Sequence, residues 1–256
     1  MNSADQTQLE ALLSFAVEAI QQAGDLTLRY YQTGTPEDRK GDNTPVTVAD
    51  REAEQLLRRL IAERWPDHGI LGEEYGEERP EAPIRWIIDP IDGTRSFVCG
   101  VPLYANLLAC VEGDRTLAGV MHFPALGDTL TAARGLGCSW NGRPARVSEV
   151  DQLAEAVVLT SQVGSFGDKT EAWGRLCEAS YIQRTWGDAY GYALVATGRA
   201  EVMVDPQVKI WDIAPMPVIL EEAGGTFTDW AGIPTITSGA GVATNGKLLK
   251  QTLALL

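Results

Sequence analysis

Leu9, Leu12, Leu13, Ala16, Val17 and Ile20 recur at helical spacing, and this periodicity predicts one long amphipathic helix over residues 7–31. A polar, turn-rich stretch runs from Gln32 to Pro45. Thr47 to Asp50 then opens a second helix that carries Ala53, Leu56, Leu57, Leu60 and Ile61 inward, and Trp65-Pro66 closes it. Between residues 70 and 140 the pattern changes to short apolar runs: Ile84 to Ile88, Leu103 to Val111, Leu117 to His122 and Thr129 to Ala133. These predict a sheet of several strands. From Ala156 onward the two kinds alternate, with extended segments at 156–160, 182–186, 201–204 and 225–228 and helices at 169–179, 189–197 and 213–222. An α+β first half is therefore expected beside an α/β second half. No repeat or linker separates them, so residues 1–256 read as one unit with halves at about 1–144 and 145–256, and the seam falls at Asn141 to Pro144.

Composition narrows the classes of function. With 45% hydrophobic residues in 256, the chain buries a full core. The longest apolar runs, such as Pro102 to Val111, fall well short of the roughly 20 residues of a membrane-spanning helix. Met1 to Gln6 has no basic segment ahead of an apolar run, so no secretory signal is expected and the expected location is the cytoplasm. Cys99, Cys110, Cys138 and Cys177 form no C-x-x-C pair and read as small buried thiols in a reducing compartment. The 35 acidic and 21 basic residues give a net charge of −14, which disfavours nucleic acid and anionic membranes as partners. The same excess suits a protein that binds hard divalent cations.

The most informative segment is Trp86 to Thr94, an apolar strand that runs into Asp89-Pro90-Ile91-Asp92-Gly93-Thr94. Pro90 holds Asp89 extended, and Gly93 allows a tight turn that brings both carboxylates toward one point. Two carboxylates there repel each other unless a cation stands between them. If Gly93 and Thr94 open a helix or turn, their N–H groups form a site for phosphate oxygens. D-P and D-G are also ordinary turn dipeptides, and the segment gains meaning from Gly72-Glu73-Glu74, which offers further oxygens beside the same sheet. Asp212, ahead of Ile213-Ala214-Pro215, reads equally as a helix cap or as a ligand. Asp50 reads as a first-turn acid of its helix or as part of the site. Other phosphate chemistries fit poorly. Neither His68 nor His122 lies in an R-H-G context, Arg115 and Arg143 stand five residues after Cys110 and Cys138 where a cysteine phosphatase needs six, and Leu248 ends the P-loop-like run Gly241 to Lys247.

Four pieces in order carry a resemblance: Lys40 to Asp50, Gly72-Glu73-Glu74, Asp89 to Thr94, and Trp211-Asp212-Ile213-Ala214 followed by Glu222-Ala223-Gly224-Gly225. In these, over nearly its whole length, the chain resembles the inositol monophosphatase superfamily of lithium-sensitive, Mg²⁺-dependent phosphatases. The resemblance implies a layered α-β-α-β-α sandwich of the inositol monophosphatase and fructose-1,6-bisphosphatase type, two or three Mg²⁺ ions, and a homodimer. It implies that Glu73, Asp89 and the Ile91 carbonyl bind one metal, and that Asp89, Asp92 and Asp212 bind a second. By the same likeness Thr94, oriented by Asp50, and Glu73 prepare a water for in-line attack on phosphorus. No covalent intermediate is needed. The intact set also separates an enzyme from an idle metal or phosphate binder that keeps the fold, which has no use for a water-activating threonine.

Substrate choice turns on Arg184 to Tyr192. The segments Trp186-Gly187-Asp188 to Tyr192, Val195 to Pro206 and Arg95-Ser96-Phe97 to Pro102 resemble the histidinol-phosphate phosphatases within that superfamily. The likeness places Asp92, Gly187, Asp188, Asp205 and Asp212 around the alcohol part of the ester. Relatives acting on inositol phosphates have small neutral residues where this chain has Asp188, and an extra carboxylate favours a cationic ester. Asp188 reads as readily as a helix N-cap on local sequence. Asp205 stands where inositol-specific relatives use a longer Glu. Tyr104 and Asn106 are further candidates to line the cleft. The expected reaction is hydrolysis of L-histidinol phosphate in histidine biosynthesis, with inositol-1-phosphate or a broader set of sugar phosphates as the alternative.

Overall fold

A computed structural model describes residues 3–41 and 44–256, so Asp42 and Asn43 of the Lys40 to Asp50 segment, and Met1 and Asn2, lie outside the described residues. Helix α1 (Ser3–Leu28) leads through a two-stranded antiparallel pair, β1 (Glu37–Arg39) and β2 (Pro45–Thr47), into α2 (Val48–Arg64). Strands β3 (Gly69–Gly72), β4 (Gly76–Glu78) and β5 (Ile84–Asp92), the short α3 (Thr94–Val98), and β6 (Ala105–Glu112), β7 (Arg115–Phe123), β8 (Asp128–Ala133), β9 (Gly137–Trp140) and β10 (Arg143–Pro144) complete the first half. They form an eight-stranded sheet in the order β10-β9-β8-β7-β6-β5-β3-β4, antiparallel except where β3 lies parallel to β5. The second half contributes β11 (Val157–Leu159), α4 (Thr170–Ala179), β12 (Ile182–Arg184), α5 (Asp188–Ala196), β13 (Val202–Asp205), α6 (Ile210–Ile213), α7 (Met216–Ala223), β14 (Thr226–Thr228), β15 (Gly241–Thr244) and α8 (Leu249–Leu253). Its sheet has the order β12-β11-β13-β15-β14.

Alternation of side chains along the strands builds the layers. Trp86, Ile88, Leu108, Cys110 and Val120 face α1 and α2, where Leu12, Ala16, Ile20, Leu57 and Ile61 are buried against them. The opposite faces, with Ile87, Leu107, Ala109, Val111 and Met121, pack on α5 to α7 through Tyr192, Val195, Ile213, Val218 and Ile219. Those helices in turn cover Leu159, Met203 and Ala243 of the small sheet. Val158, Val202, Val204 and Val242 on its far side meet Phe166, Trp173, Leu176 and Leu248. The result is an α-β-α-β-α stack with α5 to α7 as the shared middle layer.

Three expectations need correction. The first helix ends at Leu28 rather than 31, because Arg29 and Tyr30 bond back three residues, to Leu26 and Thr27, and the helix tightens out. The helix expected over 213–222 is two, α6 and α7, since Pro215 has no N–H to continue the ladder toward Trp211. Cys99, expected buried, is exposed in the turn after α3; Cys110 and Cys138 are buried, Cys177 is half-buried, and all four are free thiols. Among the described residues, no helix is long and apolar enough to cross a membrane.

Candidate active site

Side chains alternate along a strand, so two acids three residues apart should face opposite sides of the sheet. Asp89 and Asp92 do not. Asp89 pairs with Leu107 and Asp92 with Ala105, so Pro90 and Ile91 together oppose the single residue Asn106. This extra residue is a β-bulge, and it returns Asp92 to the face of Asp89, toward α6. Pro90 suits the place because a bulge leaves a ladder N–H unused. The Asn106 amide donates to the Pro90 carbonyl, and Asp89 Oδ1 accepts from the Ile91 N–H at 3.1 Å. Ile91 turns its side chain to the other face, beside Ala49, Phe97 and Tyr104. Tyr104 and Asn106 are themselves fully buried behind the bulge and do not line a cleft.

Asp212 reaches this point from α6, where it stands in the third helical position with its Oδ2 accepting from the Lys209 N–H at 2.7 Å. The helix-capping role and proximity to the site therefore coexist. Asp89, Asp92 and Asp212 each offer an oxygen within 4.8 Å of the others. Glu73 follows β3, with its N–H bonded to the Ile88 carbonyl at 3.3 Å and its carboxylate beside that of Asp89. The turn that carries it is clamped from beneath by Glu54. This fully buried carboxylate accepts from the Glu74 N–H at 2.7 Å and the Tyr75 N–H at 3.2 Å, and pairs with Arg58 at 2.8 Å. Lys40 Nζ bridges Glu73 and Glu74 at 2.7 and 2.5 Å.

Asp50 closes a capping box at the start of α2, its Oδ2 taking the Thr47 N–H at 2.8 Å and the Thr47 hydroxyl at 2.7 Å. Its other oxygen lies 3.4 Å from the Thr94 hydroxyl, which also donates to the Ile91 carbonyl at 2.9 Å. Gly93 precedes α3 in the left-handed conformation, φ 76°. Asp188 is the first residue of α5 rather than its cap, with φ 52°, and its Oδ2 stands 3.0 Å from where a Cβ at Gly93 would be. The next N–H, of Ala189, donates to Asp92 Oδ2 at 2.6 Å. Asp205 is buried, with its oxygens taken by Thr160, Ser161 and Tyr192.

A profile of the inositol monophosphatase family matches residues 8–256. The chain belongs to that family. Two family members illustrate the likeness: the histidinol-phosphatase of Chlorobaculum parvum is 42% identical over 245 residues, covering 94% of each chain. That of Mycobacterium tuberculosis is 37% identical over 252 residues, covering 95% of this chain and 97% of its own. Among solved structures, a Thermotoga maritima IMPase superposes with a TM-score of 0.88 at 33% identity, over 96% of each chain. As an inositol monophosphatase family member the protein is a phosphatase, and its family is a metal-dependent one.

The electrostatics of this family member fit that dependence. Burial, and then the charges of Glu73, Asp92, Asp212 and Asp50, push the Asp89 carboxyl well above its ordinary range. Asp92 is raised by burial and by Asp188 and Asp212, against the pull of the Ala189 N–H. Burial is also the largest cause at Asp212, pushed up to about 7, and at Asp50, pushed up to about 6. Lys40 offsets the charge of Glu73, and Arg95 that of Asp188. So many buried oxygens with so little positive charge suit a hard divalent cation. The two histidines stay outside this chemistry: His68 accepts from the Trp86 indole at 3.1 Å, and His122 pairs with Thr129 at 2.8 Å. Glu54 and Ser161, neither of them singled out by the sequence, hold the site from behind. Glu54 lies on the apolar-facing side of α2, and that misplaced charge was the available signal.

Proposed function

We propose that the chain is a Mg²⁺-dependent phosphatase that converts L-histidinol phosphate to L-histidinol and phosphate in histidine biosynthesis. The observation that carries the chemistry is the convergence of Asp89, Asp92 and Asp212 within 4.8 Å, from a bulged strand and a separate helix. Glu73, Asp89 and the Ile91 carbonyl would hold one ion, and Asp89, Asp92 and Asp212 another, two or three in all. Bound there, Mg²⁺ supplies Lewis acidity, lowering the pKa of water and neutralising charge on the phosphoryl oxygens. The chain's own residues do the rest. The Thr94 hydroxyl has one proton to give. Donated to Asp50 rather than to Ile91, it leaves the Ile91 carbonyl free as a ligand and turns a lone pair of Thr94 toward the attacking water. Glu73 accepts a proton from that water, and the Gly93 and Thr94 N–H groups receive the phosphate.

The substrate reading rests on Asp188, a carboxylate held at Gly93 beyond those that converge on the cation, together with the names borne by the Chlorobaculum and Mycobacterium relatives. L-Histidinol phosphate brings an ammonium and an imidazole to an acidic site, with Gly187, Asp188, Asp92 and Asp212 around it and Asp205 behind. A second reading, inositol-1-phosphate or other sugar phosphates, is favoured by the likeness to the Thermotoga IMPase. Asp205 weighs against it, being short and already engaged by several donors. Comparison of kcat/KM for L-histidinol phosphate, myo-inositol-1-phosphate, fructose-1,6-bisphosphate and adenosine 3′,5′-bisphosphate decides between them. A preference for any but the first overturns the substrate assignment. The proposal includes a cytoplasmic homodimer, which sedimentation of the purified protein tests.

A further inference from the structure

We propose that Ser161 sets the preference among phosphate esters by holding Asp188 in place, as a positioning residue that itself touches no substrate. The inference rests on the reading of Asp188 as the partner of the substrate's cationic group. Ser161 lies just beyond β11, in contact with both Asp188 and Asp205. The Asp188 N–H donates to its hydroxyl oxygen at 2.8 Å. With that oxygen accepting, the single hydroxyl proton goes to Asp205 Oδ2 at 2.9 Å, while the Ser161 N–H goes to Asp205 Oδ1, also at 2.9 Å. Asp205 is in turn held by the Tyr192 hydroxyl at 3.0 Å and the Thr160 hydroxyl at 3.3 Å. It acts as a buried strut on β13 and fixes the serine on which the next loop rests.

That loop sits directly on Ser161. A Cβ at Gly187 would lie 2.1 Å from the Ser161 Cα, so no side chain fits between them. Asp188 then takes a left-handed backbone, φ 52°, which is costly for any residue but glycine and persists where the surroundings enforce it. The bond to Ser161 on one side of the residue and the Ala189 N–H bond to Asp92 on the other supply that constraint. Between them they aim the Asp188 carboxylate at Gly93. Without the hydroxyl, the Asp188 N–H loses its acceptor and the residue is free to return to an ordinary φ, which turns the carboxylate away.

The experiment is a double-mutant cycle of Ser161→Ala and Asp188→Ala, read as the ratio of kcat/KM for L-histidinol phosphate to that for myo-inositol-1-phosphate. General damage to the fold lowers both values and leaves the ratio. In Ser161→Ala the ratio is expected to fall by about tenfold, mostly through KM for the cationic ester, with no further fall when it is added to Asp188→Ala. Gly187→Ala, which pushes the loop off Ser161 without touching its hydroxyl, is expected to lower the ratio likewise. A wild-type ratio near one overturns the substrate reading and the inference with it. A clear wild-type preference that Ser161→Ala leaves intact, or losses that add in the double variant, overturns the role of Ser161 alone.

Discussion

The Ala189 N–H donates to Asp92 Oδ2 at 2.6 Å, so the first turn of α5 in the second half is bonded to the bulged strand β5 of the first. One carboxylate thereby serves two tasks. Its oxygens complete the acidic cluster, and one of them ties down the loop that bears Asp188.

Asp92→Asn separates these tasks, because an asparagine Oδ1 still accepts from Ala189 while the charge that attracts a cation is gone. Mg²⁺-dependent phosphate release is expected to fall on the order of a thousandfold, as several kcal/mol of transition-state charge stabilisation are lost. The variant should fold, and with one fewer buried like charge its metal-free form should melt no lower than wild type. Phosphate release and thermal melting, measured side by side, check both halves.

The bulge itself is testable at Asn106. Its amide donates to the Pro90 carbonyl from a fully buried position. Asn106→Leu keeps the volume and removes the donor, so Asp89, Ile91 and Asp92 lose their alignment. Mg²⁺ affinity, measured by isothermal titration calorimetry, should weaken by about 10- to 100-fold, the usual effect of removing a group that orients ligands.

Glu54 makes a different case. Glu54→Ala takes from Arg58 its fully buried partner, leaving it Glu78 and the Gly76 carbonyl, and orphans the N–H groups of Glu74 and Tyr75 directly after Glu73. With Glu78 still paired to Arg58, the loss of Glu54 is expected to cost about 3 kcal/mol, the low end for breaking a buried pair, which denaturant unfolding would register. Glu54→Gln keeps an acceptor for the turn and should cost less.

The gathering of Asp89, Asp92 and Asp212 was legible in advance from the pattern of acids, and the reason is local. Asp89-Pro90-Ile91-Asp92-Gly93, Gly72-Glu73-Glu74 and Trp211-Asp212 each sit at the end of an element that hydrophobic periodicity already predicts. What could not be read there depends on pairing. The bulge appears where β5 meets β6 with Asn106 opposite two residues, and the left-handed Asp188 lies in a loop whose N–H groups are caught by Ser161, 27 residues away, and by Asp92. The length of α1 and the break at Pro215 failed for simpler reasons, a tightened last turn and a missing N–H.

Stability should depend on pH in a way that metal reverses. Burial and mutual repulsion raise the folded-state pKa of Asp212 to about 7 and of Asp50 and Asp188 to about 6, well above the ordinary aspartate value of 3.8. Between these limits the folded metal-free chain binds more protons than the unfolded one, so its stability falls as pH rises. Its melting temperature is expected to decline from pH 4 to pH 7, and added Mg²⁺, which requires the carboxylates ionised, to restore it increasingly toward pH 7. Melting curves across this window, with and without Mg²⁺, check the sign.

The account rests on buried acids that need divalent cations to act on a phosphate ester, and the most direct measurement is phosphate release from L-histidinol phosphate by chelated, dialysed protein before and after Mg²⁺ is restored. The expected result is no turnover without the ion and recovery on its return. Turnover that persists undiminished in the chelated protein contradicts it.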